Sequence, residues 1–268
     1  MIQAVTCIQV TLLLWFAILH PVTSFSAPFP SPFPNSRPVT EDELVTMEKQ
    51  TGQKSPCQAA IGVPVSCKCG HGYPQAFTLN PMPSTGRINS GLVKLTCPML
   101  VNAIDELEDD GYIKEISKKL EANSEWQEQV KQVHEKHAHT RKQLITDDKL
   151  NILQDKLGER ASLAFMESGV AASTIDSLDV KCLHAWYGDY LFASPDKESK
   201  TSPLGEIIGD LLRSRGIDLA GSENCSSFCD PLSKTMVQPP NPRNKQRLKS
   251  RKEIARRKRK KENVGDEQ

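Results

Sequence analysis

Apolar side chains recur at helical spacing through the second half of the chain. After Pro98 they follow one another three or four residues apart, with a break near Gly111, at Leu100, Ile104, Leu107, Ile113, Ile116 and Leu120. This spacing puts them on one face of a helix and therefore predicts a helical region that is interrupted once. Further helices are predicted from Ser124, from Thr146-Asp147 to about Ser168, across Val180 to Phe192 and across Leu204 to Arg215.

The region before Pro98 has a different pattern. Thr40 with Glu43 has the form of a capping box and Gly52 is suited to a C-cap, which predicts a short helix over residues 41–50. Two short apolar stretches, residues 75–79 and 92–95, predict strands, because a segment rich in Pro, Ser and Gly separates them. The chain is therefore expected to fold as a mostly helical, single α+β domain with a small β-hairpin.

The first 24 residues have the features of a removable signal peptide. The segment from Val10 to Leu19 is mostly apolar but shorter than a helix that spans a bilayer, and His20-Pro21 interrupts it. Small residues of the kind that a signal peptidase accepts follow at Val22-Thr23-Ser24. Signal peptides usually begin with a positively charged region, whereas here only the amine of Met1 is cationic before the apolar segment. The alternative is therefore a buried helix of the domain. No stable membrane anchor is expected.

Residues 25–39 form a second atypical segment, rich in Ser, Pro and Phe, with no acidic residue and one basic residue, Arg37. A signal peptide followed by an acid-poor segment headed by a phenylalanine, here Phe25, resembles the bipartite presequences of algae with complex red-lineage plastids. The resemblance implies a location in the plastid stroma after cleavage. Ordinary secretion is the alternative.

The number of cysteines bears on this choice of compartment. The chain has eight, of which Cys7 lies in the predicted signal peptide. The seven that are left fit poorly with complete disulfide pairing, whereas a reducing compartment keeps thiols free for metal binding or redox chemistry. The cysteine count therefore favours the plastid over secretion.

Four separated segments resemble signature segments of one protein family. They are Cys67-Lys68-Cys69-Gly70 with Pro74, Leu95-Thr96-Cys97-Pro98, Val180-Lys181-Cys182-Leu183-His184-Ala185 and Pro203-Leu204-Gly205. In this order they resemble the domain of unknown function 501 family, which is mainly bacterial. Leu107-Glu108 followed by Gly111 also resembles the stretch after the second segment. The resemblance implies a cysteine pattern without a mechanism. Asp189 and Ser202 depart from the His and Asn expected near these positions.

Six residues are candidate metal ligands. Thiolates suit zinc and iron–sulfur centres, and four thiolates, or three with one imidazole, complete a structural zinc site. The predicted ligands are Cys67, Cys69, Cys97, Cys182, His184 and Cys225. Zinc is preferred to an iron–sulfur cluster, because an imidazole is available and the chain has no ferredoxin-type run of cysteines.

Other interpretations of the same cysteines are redox-active thiols and inert buried thiols. Cys225 and Cys229 are four residues apart, a spacing that would place both on one side of a helix. Cys57 lies outside the segments that resemble the family and is assigned no role.

Three histidines lie in the helix predicted from Ser124. His134 and His137 share a face of this helix and His139 does not. Their neighbours are rich in Glu, Gln and Lys, so a solvated face is expected and not a metal site. The sequence has no nucleophile elbow, phosphate loop or dinucleotide-binding fingerprint, which argues against those enzyme classes without deciding whether the protein is an enzyme.

The C-terminal region carries a strong charge imbalance. From Arg243 to Lys261, here called the basic segment, there are twelve Lys or Arg residues and one Glu, a local charge of +11. Of 34 basic and 33 acidic residues in the whole chain, 22 and 32 are left for the remainder, a charge of −10. We expect a disordered tail whose basic segment contacts RNA or a ribonucleoprotein through phosphates, with a solubilising or localisation tail as the alternative.

These patterns predict the domain organisation and the function together. Residues 1–24 are expected to be a signal peptide, 25–39 a transit-peptide-like segment, 40–235 one cysteine-bearing domain and 236–268 the basic tail. The predicted function is that of a plastid protein with a Cys/His metal site and a nucleic-acid-contacting tail. The alternatives are a thiol-dependent oxidoreductase or small metalloenzyme that uses Cys97 or Cys182, and a structural zinc module for protein contacts.

Overall fold

The computed structural model describes residues 33, 35–53, 57–65, 69–193 and 202–219, which contain eight α-helices and a four-stranded antiparallel sheet. The strands, in both chain and spatial order, are β1 (Ser36–Arg37), β2 (Ala60–Pro64), β3 (Ala76–Leu79) and β4 (Val93–Leu95). The helices are α1 (Glu41–Thr51), α2 (Pro98–Asp109), α3 (Tyr112–Glu121), α4 (Ser124–Leu144), α5 (Asp147–Leu157), α6 (Glu159–Met166), α7 (Leu183–Tyr190) and α8 (Pro203–Ser214), with a 3₁₀ turn over Val170–Ala172. The predicted α+β class, with mostly helices, is confirmed.

The sheet is larger than the hairpin that the sequence predicts. β3 and β4 are the two predicted strands, and they pair with Ala76 opposite Leu95. β2 pairs with the other edge of β3, and β1 pairs with β2. The sequence did not indicate β2 because Gly62 and Pro64, residues that usually disfavour strands, occupy two of its five positions.

α1 begins and ends where its capping residues predict. The Thr40 hydroxyl accepts the backbone N–H of Glu43 at 3.3 Å, and the Glu43 carboxylate accepts the backbone N–H of Thr40 at 3.1 Å. Gly52 ends the helix in the left-handed conformation, at φ 63°. Arg37 of β1 forms an ion pair with Glu43, which joins the start of α1 to the sheet.

Two glycines with positive φ divide the helical region. Gly111, at φ 88°, separates α2 from α3, as the sequence predicts. Gly158, at φ 81°, separates α5 from α6, so the single helix predicted from residue 146 to about 168 is wrong. Both breaks use a backbone conformation that favours glycine, and the apolar spacing alone does not reveal the second one.

The main core lies where α2, α4, α7 and α8 meet β4. Its largest fully buried side chains include Trp186 and Tyr187 of α7. α8 approaches α7 so closely that a Cβ at Gly205 would overlap the side chain of Tyr190. This packing gives a physical reason for the glycine in the Pro203-Leu204-Gly205 segment.

The solvated histidine face predicted for α4 is wrong. His134 and His137 are 0% and 2% exposed, and of the three histidines only His139 is exposed. Their face of α4 points towards α7, where the rings of His134 and Trp186 lie 5.1 Å apart. Polar composition misled the prediction, because α4 packs against α3, α6, α8 and the 3₁₀ turn in spite of its many Glu, Gln and Lys residues.

Residues that precede α1 also pack into the core. The ring of Phe33 is buried, with its centroid 5.5 Å from that of His137 and 5.4 Å from that of Phe192. The side-chain amide of Asn35 donates to the carbonyl oxygen of Ala193 at 3.0 Å. The last part of the transit-peptide-like segment therefore contributes contacts to the described domain.

Several sequence predictions fall outside the described residues. They are the signal peptide, most of the transit-peptide-like segment, the basic tail, and Cys67, Cys225 and Cys229. Across the parts of the chain that the structure describes, no helix is long and apolar enough to cross a membrane.

Candidate metal centre

Three side chains from different parts of the fold converge at the start of α7. Cys182 is the N-cap of α7, His184 lies in its first turn, and Glu108 lies near the end of α2. The Cys182 sulfur, a ring nitrogen of His184 and a carboxylate oxygen of Glu108 all lie within 4.8 Å of one another. Among the described residues this is the single group of three or more side chains with such an arrangement of metal-binding atoms.

Glu108 is held in place by the backbone of α7. Its Oε1 accepts the N–H of Leu183 at 2.9 Å, one of the N–H groups at the start of a helix that have no partner within the helix. The same oxygen lies 3.1 Å from Nδ1 of His184. The Cys182 sulfur lies 3.8 Å from this nitrogen. Nδ1 of His184 therefore faces both the carboxylate and the thiol.

The other nitrogen of His184 faces α2. Nε2 lies 3.1 Å from the carbonyl oxygen of Val101 and 3.7 Å from Oδ1 of Asp105. A carbonyl oxygen can only accept a hydrogen bond, so Nε2 carries a hydrogen and donates it. Metal-binding histidines usually donate the second ring N–H to a carbonyl or a carboxylate in this way, and the donation leaves Nδ1 available as a ligand.

The electrostatics of the site favour positive charge at Nδ1. Burial disfavours the charged imidazolium, but the thiol of Cys182 and the carboxylate of Glu108 outweigh this effect and raise the pKa of His184 to about 10. The Glu108 carboxylate can only accept, so a proton or a cation has to lie between it and the imidazole. A metal ion bound at Nδ1 would take the place of that proton.

Two other predicted ligands are described by the structure but do not belong to this group. Cys69 and Cys97 are 4% and 0% exposed, and neither belongs to the group formed by Glu108, Cys182 and His184. Cys97 is the N-cap of α2, eleven residues before Glu108, so the helical rise separates the Cα atoms of these two residues by about 16 Å. Cys67 and Cys225 lie outside the described residues, and the six-residue ligand set stays a prediction.

Glu108 is the member of this group that the sequence did not identify. It lies among other acidic residues of α2, including Glu106 and Asp109, and helical periodicity does not distinguish it from them. A usable signal was its position in Leu107-Glu108, followed by Gly111, because this stretch is one of those that resemble the family.

A second polar group is buried further along α7. Nε2 of His137 lies 2.7 Å from Oδ1 of Asp189, and Nζ of Lys136 lies 4.0 Å from the same oxygen. Burial opposes ionisation of Asp189, but Lys136 and His137 outweigh it and hold its pKa below its usual range. Asp189, near whose position the family resemblance leads us to expect a histidine, is thus the acidic member of a buried pair with His137.

His134 lies beside this pair and is kept neutral by its surroundings. Its Nδ1 accepts the backbone N–H of Val170 at 3.0 Å. Burial, reinforced by the nearby His137, lowers the pKa of His134 to about 4. A Cβ at Gly169 would overlap the His134 ring, so the glycine lets the chain before the 3₁₀ turn approach the imidazole.

Comparison with known proteins agrees with the family resemblance. The chain matches the model of the family described as "Protein of unknown function (DUF501)" over residues 65–210. No curated protein and no solved structure matches it. The matched range covers more than half of the 268 residues and includes Glu108, Cys182 and His184. The chain therefore belongs to the DUF501 family.

Proposed function

We propose that the protein binds a metal ion, with zinc as the preferred ion, through Glu108, Cys182 and His184. The observation that carries the proposal is the convergence of three donor atoms within 4.8 Å while Nε2 of His184 donates to the Val101 carbonyl. Cysteine sulfur, histidine nitrogen and carboxylate oxygen are the ligands that zinc takes in proteins. Iron–sulfur clusters are less well supported, because they are held mainly by cysteines.

Thiol chemistry at Cys182 is the alternative function. Its place at the start of α7 and next to an imidazole supports a reactive thiolate. The Glu108 carboxylate opposes it, because it accepts the Leu183 N–H and places a second negative charge beside the sulfur. A divalent ion neutralises the two negative charges of the Cys182 thiolate and the Glu108 carboxylate, whereas the single positive charge of the His184 imidazolium neutralises only one of them. The charges therefore favour the metal.

The coordination number decides between a metalloenzyme and a structural module. Three protein ligands leave the fourth position of a tetrahedral zinc ion for water, and a bound water of lowered pKa is the usual nucleophile of zinc enzymes. A fourth protein ligand would close the site and favour a structural role. The absorption spectrum of the cobalt-substituted protein reports the number of thiolates and the coordination geometry.

Metal analysis of the full-length protein, purified without oxygen, tests the proposal. Cys182→Ser and His184→Gln each remove a ligand, and each is expected to lower the zinc content by one equivalent per chain. The matched controls Cys57→Ser and His139→Gln make the same changes at a buried thiol and an exposed histidine outside the site. They should keep the wild-type zinc content.

Two outcomes of this experiment contradict the proposal. An unchanged zinc content in a Cys182→Ser, His184→Gln double variant would remove both residues from the ligand set. Rapid alkylation of Cys182 at neutral pH in a wild-type protein that does not take up zinc would favour the thiol alternative.

The basic segment supports a second function, contact with nucleic acid. Its charge of +11 suits a phosphate backbone, and the segment lies outside the described residues. Full-length protein is expected to bind RNA or DNA, and a chain that ends at Pro242 is not. If about six phosphates are contacted, the logarithm of the affinity should fall with that of the salt concentration at a slope of about −4 on single strands and −5 on duplex. Equal binding by the truncated chain would contradict this function.

A further inference from the structure

Exposed apolar side chains are concentrated on α5 and α6. Of the five large apolar side chains that are exposed in the described parts of the chain, three belong to this helix pair: Ile152, Leu157 and Leu163, at 45%, 41% and 51% exposure. The inner side of the pair is already packed, because Leu153 is fully buried in a small core that also contains Met166. The three exposed side chains lie outside this packing.

Four charged residues surround Ile152 on the surface of α5. Asp148 and Lys149 precede it by four and three residues. Asp155 and Lys156 follow it by three and four residues. Side chains at these spacings are neighbours on a helix, so the five residues form one surface, which we call the Ile152 face. An acid followed by a base occurs on both sides of the isoleucine.

The charges of the Ile152 face are available to a second molecule. Within the part of the chain that the structure describes, the side chains of Asp148, Lys149 and Asp155 form no hydrogen bond or ion pair. Nζ of Lys156 donates to the carbonyl oxygen of Gly86 at 2.8 Å. An ammonium group has three hydrogens to donate, so Lys156 can still bind another acceptor.

We propose that two copies of the protein associate through the Ile152 face, with α5 packed against α5 in antiparallel orientation about a two-fold axis close to Ile152. Residues equally far before and after Ile152 then lie opposite each other in the two copies. Asp148 faces Lys156 of the partner subunit. Lys149 faces Asp155 of the partner subunit. The symmetry repeats both contacts, which gives four ion pairs around two apposed isoleucines.

The charge order selects this orientation. A parallel arrangement in register would place each acid opposite the same acid and each base opposite the same base, which is repulsive. A single exposed isoleucine is ordinary on a protein surface. The carrying observation is therefore the match between opposite charges that appears when the Ile152 face meets a reversed copy of itself.

The size of the contact sets the expected strength. α5 has 11 residues and is about 16 Å long, so the interface belongs to the weak and reversible class that buries less than about 1,200 Å². The contact uses neither α2 nor α7, which carry Glu108, Cys182 and His184. Association should therefore be independent of a metal at that site.

Sedimentation velocity of the full-length protein over a range of concentrations tests the proposal. A reversible monomer–dimer equilibrium is expected, with the same dissociation constant in the presence and absence of a chelator. Ile152→Asp should weaken association by more than about tenfold, because it places a charge at the centre of the contact. Val45→Asp is the matched control, at a similarly exposed position of α1, and should leave the equilibrium unchanged.

Charge reversal tests the antiparallel register. Lys149→Asp places like charges opposite each other twice in the dimer and should weaken association by about tenfold, since each exposed pair contributes little alone. The double variant Lys149→Asp, Asp155→Lys restores opposite charges and should recover the wild-type dissociation constant. Lys118→Asp makes the same change of net charge on the exposed surface of α3 and should have no effect.

Three outcomes overturn the proposal. A monomer at every concentration excludes the dimer. A dimer that Ile152→Asp does not weaken uses another surface. Failure of the Lys149→Asp, Asp155→Lys variant to recover association excludes the antiparallel register. Urea denaturation should show wild-type stability for all these surface variants. None of the outcomes depends on the zinc content, so this proposal and the metal site can fail separately.

Discussion

Nε2 of His137 on α4 lies 2.7 Å from Oδ1 of Asp189 on α7, and both side chains are almost fully buried. Loss of one member of a buried pair leaves the other without compensation, which typically costs about 3–5 kcal/mol. We expect Asp189→Asn, which removes the charge and keeps the shape, to lower the free energy of unfolding by about 3 kcal/mol. Urea denaturation measures this change.

The control for this substitution is Asp210→Asn. Asp210 is exposed on α8, where it pairs with Arg213, and such surface pairs contribute at most about 1 kcal/mol. Similar losses of stability in the two variants would mean that the buried pair does not hold α4 and α7 together.

His134 should make the domain sensitive to acid. Its pKa is about 4 in the folded protein, against 6.5 for an unperturbed histidine. As the pH falls below about 6.5, His134 takes up a proton in the unfolded chain but stays neutral in the folded protein. The stability that is present above this pH is therefore lost as the pH falls. We expect His134 by itself to contribute a loss of about 2 kcal/mol between pH 7 and pH 5. His134→Gln should flatten this dependence, and His139→Gln should leave it unchanged.

Glu108→Gln separates metal binding from folding. The amide oxygen can still accept the Leu183 N–H, so the start of α7 should be preserved, but the negative charge that is proposed to bind the metal is lost. We expect zinc affinity at this site, measured by competition with a chelator, to fall by more than about tenfold, since loss of a residue that merely supports a ligand already costs about 10–100-fold. Glu106→Gln, an exposed change on the same helix, should have no effect. Equal affinities in the two variants would contradict the role of Glu108.

Phe33 should be needed for full stability of the domain. Its buried ring contacts His137 and Phe192, and truncation of a core phenylalanine costs about 3–5 kcal/mol. We expect Phe33→Ala to lower the free energy of unfolding by about 3 kcal/mol, whereas Val45→Ala, at an exposed position of α1, should change it by less than about 0.5 kcal/mol. A chain that starts at residue 40 should be destabilised like Phe33→Ala. Full stability of that chain would show that the contacts of Phe33 contribute nothing.

The presequence prediction is tested by localisation. A fusion of residues 1–45 to a fluorescent protein is expected to enter the plastid of an alga with complex plastids, and Phe25→Asp should stop it outside the stroma. Phe29→Asp makes the same change four residues further on and should allow import. A diffuse cytosolic signal from the unaltered presequence would rule out this targeting.

Elements whose ends are determined locally could be predicted from the sequence. Thr40 with Glu43 determines the start of α1, and Pro98 determines the start of α2. The burial of His134 and His137 could not be predicted, because it depends on α7, about 50 residues further along the chain. The sequence of α4 is rich in polar residues, but its histidine face is buried because α7, which is distant in sequence, packs against it.

The candidate site was predictable in part for the same reason. Cys182 and His184 lie two residues apart, and a family-like segment identifies both. Glu108 joins them through its contacts with Leu183 and His184, which follow it in the sequence by 75 and 76 positions. Spacing rules describe neighbours on one helix, so they do not extend to a contact between the end of α2 and the start of α7.

The short helix α7 has a consequence for the kinetics of folding. Eight residues are too few to form a stable helix alone, so α7 depends on contacts with its neighbours. These contacts are distant in sequence: Glu108 is 75 residues from Leu183, and His137 is 52 residues from Asp189. Closing such loops costs entropy before the contacts can compensate, which slows their formation. α7 should therefore consolidate late, and uptake of a metal at Cys182 and His184 should follow the slowest phase of refolding.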